Sequence, residues 1–258
     1  MQQTDWNPDL YLKFNKERTQ PSIDLVSRIA HPNPQTIIDI GCGPGNSTQI
    51  LVERWPHAQV AGADSSPAMI EKAKGDFPQQ QWFHLDAGKD DLGSSYDIIF
   101  SNAVIQWIPD QPALFRKFHH ALNDEGVIAL QLPLFWDMPL GKAIKEVAKD
   151  ERWSAVTQAA TDLFTLHPYS FYYDQLSALF SSVEMWETHY MHVMDSHQAV
   201  ITMMQSTGLK PYMERLSSEA DKREFEERVL ARIKEAYPQQ KDGKVLLPFD
   251  RLFFIARK

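Results

Sequence analysis

The stretch that decides the fold is Thr36-Ile37-Ile38-Asp39-Ile40-Gly41-Cys42-Gly43-Pro44-Gly45-Asn46-Ser47-Thr48. Ile37 to Ile40 is a short, β-branched apolar run with one acid in it, the pattern of a buried parallel strand. Glycine then recurs at every second position, at Gly41, Gly43 and Gly45. Asn46-Ser47-Thr48 leads into Gln49-Ile50-Leu51-Val52-Glu53-Arg54-Trp55, which reads as a helix. Strand, glycine loop and helix are the parts of a nucleotide-binding turn. Glycines admit unusual φ values and let a ligand approach the backbone, and the helix start adds unpaired N–H donors. A dinucleotide fingerprint spaces its glycines G-x-G-x-x-G and seats a pyrophosphate on the helix. The spacing here is D-x-G-x-G-x-G. A dinucleotide-dependent dehydrogenase is therefore the competing reading, disfavoured by that spacing.

Downstream, strand and helix patterns alternate. Gln59 to Ala63 is a second strand ending at Asp64, Gln81 to Leu85 a third ending at Asp86, and Tyr96 to Phe100 a fourth ending at Ser101-Asn102. One helix starts at Ser66-Pro67 and runs through Met69, Ile70 and Ala73, and another, after the fourth strand, carries Leu114, Phe115 and Phe118 on one side. Gly126 to Leu132 is a fifth strand. This alternation predicts an α/β fold with a doubly wound parallel sheet and right-handed crossovers. In such sheets ligands bind beyond the carboxyl ends of the strands, where Asp64, Asp86 and Asn102 fall. Asp64, roughly 20 residues past the glycine loop, is placed to accept from both hydroxyls of a ribose. Asp86 can accept from an adenine amino group. Each residue taken alone also suits a helix cap or a turn.

Towards the amino terminus, Leu10, Tyr11 and Phe14 have helical spacing. Pro21 opens a second helix, Ser22 to Ala30, with Ile23, Leu25, Val26 and Ile29 as its buried stripe. Past the fifth strand, Leu140 to Val147 and Tyr173 to Phe180 read as helices, and Ser182 to Met194 as a long strand. Ala199 to Met204 and Asp221 to Tyr237 read as amphipathic helices before a last strand, Val245 to Arg257. A helical insertion between two late strands belongs over the ligand edge, as a lid.

The 258 residues, 43% hydrophobic and 23% charged, suit one globular domain with a cap. A formal charge of −8 argues against nucleic acid as a partner, since that footprint is normally basic. An anionic substrate has to find local positive charge instead. Cys42 is the single cysteine, so no intramolecular disulfide can form, which fits a reducing, cytoplasmic setting. No base adjoins it in sequence, and it reads as a loop filler rather than a nucleophile. The polar amino terminus is not a signal peptide, and no apolar run approaches the roughly 18 residues of a membrane span. The nine histidines form no metal-ligand motif, so no metal is expected.

These segments together resemble the trans-aconitate methyltransferase family of class I S-adenosylmethionine-dependent methyltransferases, along the whole chain. The likeness is carried by Trp6-Asn7-Pro8 with Tyr11, Phe14 and Arg18-Thr19-Gln20-Pro21, by the glycine loop, and by Asp64-Ser65-Ser66-Pro67-Ala68-Met69. It continues in Ser101-Asn102-Ala103-Val104-Ile105-Gln106-Trp107, Ser196-His197-Gln198-Ala199, Thr207-Gly208-Leu209-Lys210-Pro211 and Leu247-Pro248-Phe249-Asp250-Arg251-Leu252-Phe253. The glycine loop is common to all class I methyltransferases. The amino-terminal segment, the Ala-Val-Ile-Gln-Trp run and the carboxyl-terminal segment are narrower signals.

The resemblance implies a Rossmann-like sheet forming one methyltransferase domain over 1–258, with a helical cover over 1–34 and a helical cap over 196–240. It implies S-adenosylmethionine held by Asp39, Gly41, Gly43, Gly45, Asp64, Ser65, Met69, Asp86, Ala87 and Asn102, with Asp39 supporting the loop and Met69 against the adenine. It also implies methyl transfer to a carboxylate oxygen of a small polycarboxylic acid, trans-aconitate first among them, giving a methyl ester and S-adenosylhomocysteine. A carboxylate is already ionised at neutral pH, so no general base is expected, and alignment carries the rate. One departure stands out. Where the family often has Gln-Met-Pro-Asp-Asn after strand five, this chain has Gln131-Leu132-Pro133-Leu134-Phe135. That keeps a less polar malonyl or fatty acyl acid open as substrate. A cofactor-binding protein without turnover is the non-enzymatic alternative.

A trianionic acid in a protein of this charge needs converging positive groups. Arginine suits, because its planar fork grips a carboxylate with two hydrogen bonds. Arg18, in the covering amino-terminal segment, and Arg251, among Phe249, Leu252 and Phe253, are the candidates, with Trp6, Tyr11, Trp107 and His197 as neighbours closing the pocket. Each arginine could equally serve a structural ion pair or point into solvent.

Overall fold

The computed structural model describes residues 5–8 and 13–258. Leu10 and Tyr11 lie outside the described residues. Helix α1 (Asn15–Arg28) starts before the expected opening at Pro21 and runs through that proline. A proline inside a helix forgoes the bond its N–H would make to the carbonyl four residues earlier. Packing offsets that loss, because Leu25, Val26 and Ile29 are buried against the sheet. Ile23 departs from the expected stripe and is 44% exposed. Two residues from Leu25, it falls on the other flank of the helix.

The alternation then follows the sequence pattern. It runs β1 (Thr36–Ile40), α2 (Asn46–Arg54), β2 (Gln59–Asp64), α3 (Pro67–Asp76), β3 (Gln81–His84), β4 (Tyr96–Asn102), α4 (Gln111–Ala121) and β5 (Leu122–Pro133). Helices α5 (Pro139–Ala148), α6 (Ser154–Thr161) and α7 (Tyr169–Ser177) precede β6 (Ser182–Met194). Helices α8 (His197–Gln205), α9 (Lys210–Met213) and α10 (Glu219–Ala236) precede β7 (Val245–Arg257). Among the described residues these strands form one seven-stranded sheet in the order β3-β2-β1-β4-β5-β7-β6. Strands β1 to β5 pair in parallel, and β7 lies antiparallel between β5 and β6. The fold is α/β, with the doubly wound, Rossmann-like parallel sheet that the alternation predicts, extended by an antiparallel pair.

The period of two in the strands sorts the two faces. Ile37, Phe100, Val127 and Phe253 meet Leu25 and Val26 of α1 and Leu51 of α2 on one face. Ile38, Ile99 and Ile128 meet Phe115 and Phe118 of α4 and Tyr172 of α7 on the other. A further core lies beyond the carboxyl edge of the sheet. There Ile144, Trp153, Ile201, Tyr212, Phe225 and Val229 are drawn together from α5, the turn before α6, and α8 to α10. The helices within 196–240 share this core with residues nearer the middle of the chain. Residues from Phe135 to Phe164 enter the same core, because α5 is amphipathic and buries Leu140, Ile144 and Val147.

The hairpin of β6 and β7 joins these two parts. β7 pairs with β5 only over Arg251–Arg257, with Arg251 opposite Pro133 at the end of β5. Its pairing with β6 continues to Val245 opposite Met194. The hairpin thus overhangs the sheet edge, and Met194, Val245, Leu247 and Phe249 enter the core of the cover.

Candidate active site

A cavity of about 680 Å³ opens at the carboxyl edge, walled by the strand ends, the hairpin overhang, the cover and the amino-terminal segment. Its floor is the glycine loop. Gly41, Gly43 and Gly45 all have positive φ, at 72°, 54° and 98°, a region that favours glycine. A Cβ at Gly43 would meet no protein atom within 4 Å, whereas one at Gly41 would strike Val104 at 2.1 Å. Gly43 therefore presents bare backbone, while Gly41 is held close to the β4 turn. Gly45 sits at the head of α2 and is not in the cavity wall.

Asp39 explains why the loop takes this shape. It shares the Ile37 face of β1, toward α2, and accepts from Ser47 Oγ at 2.6 Å and Thr48 Oγ1 at 2.7 Å. It thereby pins the helix start to the strand from behind and does not line the cavity. Complete burial pushes its pKa up to about 6, against the two hydroxyl donors. Burial also pushes the Cys42 thiol well above its ordinary range, as suits a filler rather than a nucleophile.

The acids at the strand ends stand in the wall. Asp64 accepts from Gly43 N–H at 2.9 Å and Ser66 N–H at 2.8 Å, so it ties the glycine loop to the start of α3. Burial raises its pKa despite these donors. Asp86 accepts from Gly88 N–H at 3.0 Å and Lys89 Nζ at 2.7 Å. Partial burial works to raise its pKa, but Lys89 and the Gly88 N–H outweigh that and lower it. Ser65, Met69, Ala87 and Asn102 complete this side. Asn102 Oδ1 is buried with no hydrogen-bond partner among the described residues.

Trp6, Arg18, Trp107 and Arg251 also line the cavity. Trp6 meets Trp107 edge-on at 5.7 Å, and Trp107 meets Phe164 of the cover at 5.0 Å. Arg18 Nη2 donates to Ser206 Oγ at 2.6 Å and to the Met203 carbonyl at 3.1 Å, clamping α1 to the end of α8. Arg251 is 6% exposed, lies 4.7 Å over the Phe249 ring, and donates from Nη1 to Gln131 Oε1 at 3.3 Å. His197 is a correction. It is not in the wall, and its ring Nε2 sits 2.7 Å from the Tyr237 carbonyl, joining the first turn of α8 to the end of α10. Tyr11 lies outside the described residues.

Two wall residues escape a reading of the sequence. Asp5 reaches Ser66 Oγ and accepts from Ala68 N–H at 2.8 Å, strapping the amino-terminal segment across the start of α3. His192 stands in the hairpin overhang. For Asp5 the acid beside Trp6 was the available signal. For His192 only the alternation of β6 was. Phe135, at the departure from the family pattern, is buried against Gly208, where a Cβ would come within 2.6 Å of its ring. Among the described residues no group of three or more His, Cys, Asp or Glu could hold a metal, and no helix is long and apolar enough to cross a membrane.

Residues 14–215 match the family described as Methyltransferase domain. The chain is 40% identical over 255 residues to a trans-aconitate 2-methyltransferase of Escherichia coli, with 99% of each chain covered. Its fold is similar to a phosphoethanolamine N-methyltransferase of Haemonchus contortus solved with S-adenosylhomocysteine, at 17% identity and a TM-score of 0.58 over 93% of this chain and 52% of that one. It is also similar to the YcgJ protein of Bacillus subtilis, at 13% identity and a TM-score of 0.61 over 93% and 98% of the two chains. The full-length relative and the domain match agree: the chain belongs to the trans-aconitate 2-methyltransferase family of S-adenosylmethionine-dependent methyltransferases.

Proposed function

We propose that the chain transfers a methyl group to a carboxylate oxygen of a small polycarboxylic acid, with trans-aconitate, named for its relatives, as the acid to test first. One observation carries the reading: the buried Arg251 guanidinium shares a cavity with the glycine loop. A planar two-donor anion grip therefore stands in the same chamber as the cofactor cradle.

The residues present fit S-adenosylmethionine, which when bound supplies an electrophilic methyl group on a sulfonium. The open backbone at Gly43 and the backbone of Gly41 suit its amino-acid end. Asp64 keeps lone pairs for two ribose hydroxyls beyond its bonds to Gly43 and Ser66. Asp86 with Ala87 suits the adenine edge, and Ser65 and Met69 its face. The unpartnered Asn102 Oδ1 offers an acceptor near the loop. Asp39 and Gly45 act from behind, by shaping the loop. Trp6, Trp107 and Arg18 close the chamber, and Arg251 orients the acid. The acid is already ionised, so the chain's work is alignment, worth up to about 7–11 kcal/mol in well-oriented reactions.

The wall of Phe135, Phe164 and Trp107 favours a second reading, in which the acid is a less polar malonyl or fatty acyl compound. A methyl-transfer assay with labelled cofactor over an acid panel decides between them. The expected product is a methyl ester of trans-aconitate, and a long-chain acid turned over far faster would overturn the first reading. We also propose a cytoplasmic setting, in keeping with a single cysteine, which can form no intramolecular disulfide.

A further inference from the structure

The hairpin overhang carries polar groups that the cofactor cradle does not use. In β6 and β7, Tyr190 is opposite Phe249 and Thr188 opposite Arg251. Side chains directly opposite in an antiparallel pair share a face, and positions two apart along a strand do too. His192 and Arg251 therefore project from the same face of the hairpin, and both line the cavity. Gln131, opposite Phe253 in β5, shares that face. His192 is 8% exposed and Gln131 fully buried. His192 Nε2 and Gln131 Nε2 each lie buried with no hydrogen-bond partner among the described residues. Gln131 Oε1 accepts from Arg251, which fixes the amide with its nitrogen turned from the guanidinium.

Buried polar groups are nearly always satisfied, and an exception in a native chain calls for an explanation. Here the two orphaned nitrogens belong to side chains grouped around an arginine at the wall of a cavity. Burial, with the Arg251 charge adding to it, pushes the His192 pKa down to about 4. Near neutral pH the ring is uncharged, so it offers an N–H donor without a second fixed positive charge beside Arg251. The ring is also held: it lies near-parallel to Tyr190 at 6.3 Å and 5.6 Å from Phe249.

We propose that His192 is a specificity-determining residue that donates a hydrogen bond to a second carboxylate of the substrate while Arg251 holds the first. Gln131 is a positioning residue for Arg251. The inference rests on the polycarboxylate reading above and deepens it, since a monocarboxylate would leave the His192 donor unused. A site built to hydrogen-bond a polar group rejects analogues lacking that group far more strongly than an apolar pocket rejects a size mismatch.

The test uses the full chain, saturating S-adenosylmethionine, and three trans-alkenoic acids with three, two and one carboxylates: trans-aconitate, fumarate and crotonate. His192→Phe removes the donor and keeps a ring. His192→Asn keeps an N–H donor. In His192→Phe the ratio of kcat/KM for trans-aconitate to that for crotonate should fall about tenfold to a hundredfold, mostly through KM, and His192→Asn should recover most of it. Calorimetric binding of S-adenosylhomocysteine should be unchanged in both variants, which separates this role from a general loss of packing. An unaltered ratio in His192→Phe, or an equal fall in both variants, overturns the role of His192 and leaves the function standing. If His192→Phe fails to fold, the ratio measured in His192→Leu decides by the same criterion. A wild-type chain that esterifies none of the three acids overturns the polycarboxylate reading, and this inference with it.

Discussion

Two buried residues, Asp39 and His192, have pKa values displaced in opposite directions. The folded chain keeps a proton on Asp39 up to about pH 6, whereas the unfolded chain releases it near 3.8. The stability this gives is present in full below the lower value and lost as pH rises through the upper one. His192 takes a proton only near pH 4 when folded but near 6.5 when unfolded, so its contribution is complete above 6.5 and lost as pH falls toward 4. Across this window the two slopes oppose each other. Asp39→Asn keeps an acceptor for Ser47 and Thr48 but removes one slope. The variant should gain on the order of 3 kcal/mol relative to wild type between about pH 4 and pH 7, read by urea denaturation at several pH values. A difference that stays constant across that range would show that Asp39 holds no buried proton. The position of Asp39 at the mouth of the glycine loop was readable from the motif. Its burial within the apolar strand was readable too, but its partners were not, because the Ser47 and Thr48 hydroxyls that cap it belong to a helix start that could as well have faced a ligand.

At the level of elements, the β-α repeat and its polar strand ends are legible because strand period, glycine spacing and helix starts are local signals. The pieces that close the site are not local. Asp5 meets Ser66 across 61 residues, and Arg18 meets Ser206 across 188. Nothing in either segment names the other. His197 shows the opposite failure: it lies in a family-like segment, yet its ring is taken by Tyr237 at the far end of α10. The Asp5 strap is testable by itself. Asp5→Ala removes a carboxylate that bridges a hydroxyl and a backbone N–H at the start of α3, beside Ser65, Pro67 and Met69 of the wall. Binding of S-adenosylhomocysteine should weaken about fivefold, matching roughly 1 kcal/mol for an exposed capping carboxylate, with little change in the melting temperature of the free protein. Unaltered affinity would mean that the strap lies on the site without contributing to it.

Over the whole molecule, stability rests on separate cores on the two faces of the sheet and a further one in the cover, joined by the β6–β7 hairpin. The cover also carries a charge network. Arg152 pairs with Asp221 and Glu224, and Arg228 with Glu224 and Asp150. These side chains are between 21% and 47% exposed, and pairs at the surface contribute little because water screens them. Phe225, fully buried between Trp153 and Tyr212, is another matter. Phe225→Ala should cost about 3–5 kcal/mol and Arg228→Ala only a small fraction of that, because water screens its pairs, compared by chemical denaturation. Comparable losses would place the strength of the cover in its charges. The contact of Trp6 with Trp107, and of Trp107 with Phe164, spans three separately built parts: the amino-terminal segment, the turn after β4 and the cover. Indole emission shifts in colour and intensity with the polarity around the ring, so these edge-on contacts in the cavity wall are an optical reporter of occupancy supplied by the protein itself. Product binding should change the emission of the wild-type chain, and replacing both Trp6 and Trp107 with Phe should remove most of that change while the tryptophans outside the cavity wall keep their emission. Rapid-mixing fluorescence would then time product binding without a dye or a label.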